Sequence, residues 1–169
     1  MRGSYCKPVS IIVAVDEGGG FGKNGKIPWR FPKDSQHFKD VTSGGICIMG
    51  KRTYNEIAEK REGQTLLPNR DSYVLSRSAG FNPVGAMKGK GLRQVIENIP
   101  TDDHRKIFVI GGEKLFVEAL SWCNKVYLTV IKREYDCDRH FPVKFLSENY
   151  KIDSGEELKN MYFVNYILK

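Results

Sequence analysis

The sequence predicts an α/β fold: a doubly wound, mostly parallel central sheet with flanking helices and an antiparallel C-terminal edge. Three observations predict it. Near-continuous apolar runs recur along the chain, as in VSIIVAV at 9–15 and ICIM at 46–49, which suits strands buried on both faces of a parallel sheet. Several of these runs end at glycine and pass into helical spacing, so strands alternate with helices. The final stretch, YKIDSGEELKNMYFVNYILK, breaks that rhythm and reads as strand, polar Gly-containing turn and strand.

Taken in order, the first strand at 9–15 runs into the glycine-rich loop GGGFGKNGKIPW. Two prolines, Pro28 and Pro32, then precede a short helical pattern on which Asp34, Phe38 and Val41 fall at i, i+4 and i+7 and share one face. Phe38 and Val41 make that face apolar. A carboxylate there is costly unless it is paired or used, which marks Asp34 as a candidate functional residue. ICIM at 46–49 is the next strand, followed by Gly50 and a helix with Tyr54, Ile57 and Ala58 on one face. REGQ at 61–64 and GAMKGKG at 85–91 read as surface loops, with the strand SYVLS at 72–76 between them. KIFVI at 106–110 leads through Gly111-Gly112 into the helix EKLFVEALSW, and VYLTVIKREY at 126–135 is the fifth strand of the alternating series.

The 169 residues suit one domain with a sizeable core, taken as 9–169 after an N-terminal tail at 1–8. No apolar run approaches the ~20 residues of a transmembrane helix, and MRGSYCKPVS lacks the apolar segment of a signal peptide. A cytoplasmic monomer with no membrane partner is expected. Cys6, Cys47, Cys123 and Cys137 form no C-x-x-C pair, and His37, His104 and His140 stand apart, so no metal site is expected and the cysteines read as reduced. The net charge of +7 comes without a dense basic run interleaved with aromatics, which disfavours nucleic acid and leaves anionic small molecules.

The glycine-rich loop holds two deceptive motifs. Gly20 to Gly25 matches G-x-G-x-x-G, and Gly20 to Lys26 matches G-x-x-x-x-G-K. Either must open a helix, because its anion sits on free N–H groups at a helix N-terminus. Here Ile27-Pro28-Trp29 and then Pro32 follow, and a helix cannot run through those prolines. What remains is a flexible loop of the kind that acts as a lid.

Three strand ends carry polar groups that suit a ligand. Gly50-Lys51-Arg52-Thr53 places backbone N–H groups, two cations and a hydroxyl at a helix start. Ser76 and Arg77 follow the strand at 72–76, and Gly111-Gly112 open another helix, where missing side chains permit close approach. Ligands of doubly wound folds bind at the C-terminal ends of strands. The convergence suggests a dinucleotide with an additional phosphate.

IPWRFPKDSQHFK, CIMGKRTYNEI, LPNRDSYVLSR, FVIGGEKLF and VYLTVI…CDRHFP occur in the order seen in dihydrofolate reductases, and the chain resembles that family from about Val9 to Pro142. The resemblance implies NADPH-dependent reduction of 7,8-dihydrofolate, in the service of one-carbon metabolism, and inhibition by antifolates. It implies that Asp34 and Thr129 are the catalytic pair, with Asp34 binding the pterin and Thr129 bonding to both. Ile12 and Ile110 would offer backbone carbonyls at the pocket floor, Phe38 would pack on the rings, and Arg70 would pair with the glutamate α-carboxylate. Gly50, Lys51, Arg52, Leu75, Ser76 and Arg77 would hold the adenosine 2′-phosphate end of NADPH. Thr53, with Ile110, Gly111, Gly112, Glu113, Lys114 and Leu115, would hold the rest. Ala14 and the loop containing Phe21, Gly22, Lys23 and Lys26 would cover the nicotinamide. Three positions depart from the family pattern: Ser35 replaces a large apolar residue, Glu113 a small one, and Phe116 a common tyrosine. The rivals are a reductase of another pterin or of a riboflavin precursor, which would not need Arg70 and Phe38, and a non-catalytic dinucleotide-binding protein, which would not need an Asp34–Thr129 pair.

Overall fold

The structure, a computed structural model, describes residues 7–169. In chain order its first half comprises β1 (Val9–Val15), β2 (Gly20–Gly22), α1 (Pro32–Thr42), β3 (Ile46–Gly50), α2 (Lys51–Lys60), β4 (Asp71–Leu75), β5 (Met87–Gly89) and α3 (Leu92–Asn98). The second half comprises β6 (Ile107–Gly111), α4 (Glu113–Leu120), β7 (Lys125–Ile131), β8 (Arg139–His140), α5 (Val143–Asn149), β9 (Tyr150–Glu157) and β10 (Met161–Leu168). Eight strands form one sheet in the order β5-β4-β3-β6-β1-β7-β10-β9, and β2 pairs with β8 apart from it. All pairings from β5 across to β7 are parallel. β10 is antiparallel to both β7 and β9, which makes the C-terminal edge.

The near-continuous apolar runs are explained by burial on both faces. In β3, Ile46 and Ile48 join a cluster with Leu92, Val95, Leu115 and Phe116 on one side of the sheet. Cys47 and Met49, pointing the other way, join Tyr54, Leu66, Leu67 and Val74. Successive side chains of a strand alternate between faces, so a strand with helices on both sides must be apolar at every position. The edge strand β9 is different: beyond Tyr150 every residue is exposed, and Lys151, Asp153, Glu156 and Glu157 line it with charge. Charged edges discourage pairing with another chain.

Several local expectations are corrected. The segment expected as a loop at 85–91 contains β5, parallel to β4. Gly89 is what permits it, since a Cβ there would lie 2.3 Å from Val95 of α3. The expected C-terminal turn around Gly155 lies inside β9, and the chain reverses at 158–160, where the Leu158 N–H bonds to the Met161 carbonyl. The expected strand 126–135 stops at Ile131. Beyond it the Arg133 carbonyl accepts from Glu17 and the Tyr135 N–H turns to the Asp16 carboxylate, so the backbone leaves the sheet. The short helices α3 and α5 and the β2–β8 pair carry no strong periodic signal and were not expected. The glycine-rich loop forms β2 and then a tight turn bridging Lys23 and Lys26, with no helix. Residues 1–6 of the expected tail lie outside the described residues; Lys7 donates to the Asp103 carbonyl.

Candidate active site

A cleft of about 1110 Å³ opens over the C-terminal ends of the central strands, between α1, α2 and the segment at 27–31. Neighbouring strands set its floor: Ile12 and Ala14 from β1, Ile110 from β6 and Thr129 from β7. Ala14 and Thr129 are direct partners in the β1–β7 register. Pro32 at the first turn of α1 fixes where that helix starts, since proline needs no intrahelical N–H there. The helix then delivers Asp34 and Phe38 into the cleft, and α2 adds Thr53 and Ile57 from the facing wall.

Asp34 is the sole carboxylate among the residues lining this cleft. Burial raises its pKa above the ordinary aspartate value, while the Thr129 hydroxyl and the Trp29 indole pull it back only in part. The Trp29 Nε1–H is buried and makes no well-formed hydrogen bond within the protein. It therefore sits near enough to Asp34 to act on its charge but short of a good bond. Trp29 is held in place by Tyr135, ring to ring at 5.3 Å. Thr129 is itself buried. The three groups form a polar corner in an otherwise apolar floor, suited to a heterocycle with adjacent N–H donors.

Arg70 enters the same cleft at the head of β4. Its Nη1 donates to Thr42 Oγ1 at 3.0 Å, its Nε to the Pro68 carbonyl at 3.0 Å, and its guanidinium lies 5.7 Å from the Phe38 ring centre. All these partners are neutral, so its charge is left for an anion. Ser35 is exposed at the cleft wall, and Phe116 reaches its floor. Where a tyrosine would offer a hydroxyl, Phe116 instead joins an edge-on aromatic cluster with Phe21 at 5.4 Å and Phe141 at 5.3 Å.

A second group of expected residues gathers at the ends of β3, β4 and β6. Gly50 ends β3 opposite Leu75 of β4, and α2 begins at the next residue. Lys51 and Arg52 are exposed on its first turn, Thr53 is partly buried, and Ser76 and Arg77 follow β4. Lys51 lies 4.9 Å over the Phe81 ring, and none of Lys51, Arg52 and Arg77 has an acidic partner among the described residues. Thr53 meets the glycines of β6: a Cβ on Gly111, whose φ is +136°, would lie 2.9 Å from Thr53 Oγ1. The Gly111–Gly112 peptide is cis. Bare backbone, a helix N-terminus and unpaired cations together fit a dinucleotide carrying an extra phosphate. Glu113 and Lys114 are exposed on α4, whereas Leu115 faces the core.

The glycine-rich loop is tied down at several points. The buried Asp16 accepts hydrogen bonds from the N–H groups of Gly18, Gly20 and Tyr135 and from the Cys137 thiol. Burial alone would raise its pKa, but those bonds prevail and lower it. Asn24 donates to Asp138, and exposed Lys26 pairs with Glu59 of α2 at 3.8 Å. Phe21 is buried beneath the Arg139 guanidinium, and a Cβ on Gly22 would come within 2.1 Å of Arg139 Nη2. Arg139 in turn pairs with Glu56 of α2 at 3.0 Å, both side chains largely buried. Phe21, Gly22 and Lys23 are thus near the site without lining the main cleft. Sequence reasoning missed Asp16, the Arg139–Glu56 pair and the Trp29 indole. Only Asp16 had a local signal, a polar residue closing an apolar strand just before three glycines. Among the described residues no group of His, Cys, Asp and Glu could hold a metal, and no helix is long and apolar enough to cross a membrane.

Fold and site together define the class: an α/β fold with a largely apolar, one-carboxylate cleft and a glycine-lined, cationic site beside it at the carboxyl ends of its strands. A family model described as dihydrofolate reductase matches residues 8–167. The dihydrofolate reductase of Bacillus subtilis is 31% identical over 164 residues, covering 95% of this chain and 92% of the relative. Dihydrofolate reductase type 3 of Salmonella typhimurium is 34% identical over 134 residues, covering 79% of this chain and 78% of the relative. A solved structure of Enterococcus faecalis dihydrofolate reductase, complexed with NADP(H) and RAB-propyl, superposes with a TM-score of 0.80 at 25% identity and covers 96% of each chain. The chain belongs to the dihydrofolate reductase family.

Proposed function

We propose that this chain reduces 7,8-dihydrofolate to 5,6,7,8-tetrahydrofolate at the expense of NADPH, with residues 9–169 as one catalytic domain. The observation that carries the reading is a single carboxylate, Asp34, held partly buried in the cleft with Thr129 and Trp29 beside it. A carboxylate in that setting accepts hydrogen bonds from the N3–H and 2-amino group of a pterin, which returns the solvation it lost. Phe38 and Ile57 give the ring system apolar walls, Ile12 and Ile110 form its floor, and Arg70 receives the tail carboxylate. This favours a folate over a pterin without a tail.

Bound NADPH supplies the hydride, delivered to C6, while N5 takes a proton. Gly50, Gly111 and Gly112 leave room for the dinucleotide backbone, Thr53 offers a hydroxyl beside them, and Lys51, Arg52, Ser76 and Arg77 suit its 2′-phosphate. Ala14 and the loop held by Asp16 border the nicotinamide position. Asp34 polarises the pterin and raises its readiness for protonation, and the apolar surroundings keep that electrostatic effect strong. We take the active unit to be a monomer without a nucleic-acid partner, and antifolates shaped like the pterin to compete for the same cleft.

The test is nicotinamide absorbance followed with and without dihydrofolate. NADPH is consumed only when dihydrofolate is present, and tetrahydrofolate appears in equal amount. Consumption with a tail-less dihydropterin at the same kcat/KM would overturn the folate assignment.

A further inference from the structure

Of the three groups in the polar corner, Trp29 is the one whose direction regular structure does not fix. Thr129 belongs to β7 and Asp34 to α1, whereas residues 27–31 form neither helix nor strand. The Trp29 Nε1–H is buried without a well-formed partner, yet it acts on Asp34. A hydrogen bond weakens steeply once its donor angle falls below about 120°. A small rotation of the indole therefore decides how strongly Asp34 feels it, and that rotation is set by what packs against the ring.

Two strand residues, Ile131 of β7 and its register partner Met161 of β10, give Trp29 an aliphatic seat. The aromatic against it is Tyr135, with ring centres 5.3 Å apart and planes inclined at 52°. Tyr135 lies beyond the end of β7, where the chain has left the sheet, but its backbone is held. Its N–H donates to Asp16 Oδ2 at 3.0 Å, and Asp16 is 3% exposed. Two residues earlier the Arg133 carbonyl accepts from the Glu17 N–H at 3.0 Å, and the Arg133 guanidinium lies 4.9 Å from the Tyr135 ring centre. We propose that Tyr135 is a positioning residue of this site: clamped by Asp16, its ring holds the Trp29 indole at the angle from which Nε1–H reaches Asp34. Tyr135 does not line the cleft, so it acts through Trp29 and not on a ligand. The inference rests on the reductase reading only for its effect on the proton step; the geometry belongs to the ligand-free protein.

An N–H donor favours the carboxylate over the carboxylic acid, so loosening the indole should move the Asp34 titration to higher pH. Arg30, His37, Lys39, Lys60, Arg61 and Arg70 line the cleft with Asp34, and Asp16, Arg133 and Cys137 lie around Tyr135; all are kept in every variant. The first readout is the indole N–H signal of Trp29, one of two tryptophans, followed by NMR against pH without ligand. In the unaltered protein it should shift as Asp34 ionises. In Tyr135→Leu the midpoint should rise by about half a unit, about threefold in the protonation equilibrium, and the signal should move less. Tyr135→Met is the second ring-free variant and should do the same, whereas Tyr135→Phe, which keeps the ring, should titrate as the unaltered protein does. The second readout is single-turnover hydride transfer from NADPH to dihydrofolate across pH, whose inflection should move in the same direction in the ring-free variants. Trp29→Phe alone should raise that inflection, and Tyr135→Leu added to it should raise it no further, because residues acting through one contact are not additive. A Trp29 signal that ignores pH in the unaltered protein would overturn the proposal. So would an unmoved midpoint in the ring-free variants, a Phe variant that shifts as far as Leu, or a further rise in the Trp29→Phe background. A chain that reduced no dihydrofolate would refute the reductase reading, while the ligand-free titration would still decide the role of Tyr135.

Discussion

Asn in place of Asp34 should slow the enzyme and stabilise the protein at once. The carboxyl keeps a raised pKa because burial outweighs what Thr129 and Trp29 return to it. A group whose folded pKa lies above its unfolded value favours the fold most at acid pH, and that contribution is lost as pH rises through the folded pKa. At neutral pH the ionised Asp34 therefore weighs against the ligand-free fold. Asn keeps the shape and removes the charge, so the Asp34→Asn protein should be more stable by about 1 kcal/mol, in the range usual for relieving strained functional positions. For a chain of this length that is a rise in Tm of about 2–4 °C. The gain should disappear when both proteins are unfolded at a pH below the aspartate range. The same change removes the only ionisable acid lining the cleft, and loss of acid–base assistance is worth about 10²–10⁴-fold in the hydride step. Single-turnover rates across pH separate the roles. The unaltered enzyme should lose rate as pH rises through an apparent pKa that belongs to the Asp34–substrate pair, and the Asn variant should lack that inflection while its residual rate climbs in acid. A variant with near-normal rate and the same inflection would reduce Asp34 to a helix residue. Unchanged stability at neutral pH would refute the desolvation argument even if activity fell.

Other sites make separate demands. Arg77→Gln should weaken NADPH binding by about tenfold and leave NADH nearly unchanged, since a hydrogen bond to a charged group contributes roughly 1.5–3 kcal/mol; titration of both dinucleotides decides it, and equal losses would remove Arg77 from the 2′-phosphate site. Glu56→Gln leaves the largely buried Arg139 guanidinium only the distant Asp138 carboxylate at 4.0 Å and should cost about 3 kcal/mol in urea unfolding, whereas Glu56→Leu with Arg139→Met should recover much of the loss, because an apolar pair has no charge to desolvate. Gly22→Ala should lower kcat and stability together, since its Cβ would meet the Arg139 guanidinium and push it off the Phe21 ring and away from Glu56 of α2; an alanine variant that keeps both would mean that Arg139 simply moves aside.

The sequence by itself determined the parts that repeat locally. Val9–Val15, but for Ser10, and Ile46–Gly50 are apolar at successive positions because both faces are covered, and that pattern is legible one residue at a time. The helical spacing of Asp34 and Phe38, the prolines ahead of them and the glycines after β3 and β6 are local too, and they carry the family motifs. The prolines also bar a helix after Gly25. Short elements were less legible: β5 is three residues long and held in place by what Gly89 lets Val95 approach, a fact about another segment. The site's electrostatics were decided by the tertiary structure alone. Trp29, Asp34 and Thr129 become neighbours only because the segment at 27–31, α1 and β7 meet at one cleft, and it is burial of Asp34, only partly offset by Thr129 and Trp29, that raises its carboxyl. Asp16 reaches Tyr135 and Cys137, Arg139 reaches Glu56, and Arg61 faces Arg70, each across a gap that no periodicity spans. Desolvation and charge coupling depend on distance and dielectric in space, so the chain can specify these contacts while no local reading of it reveals them.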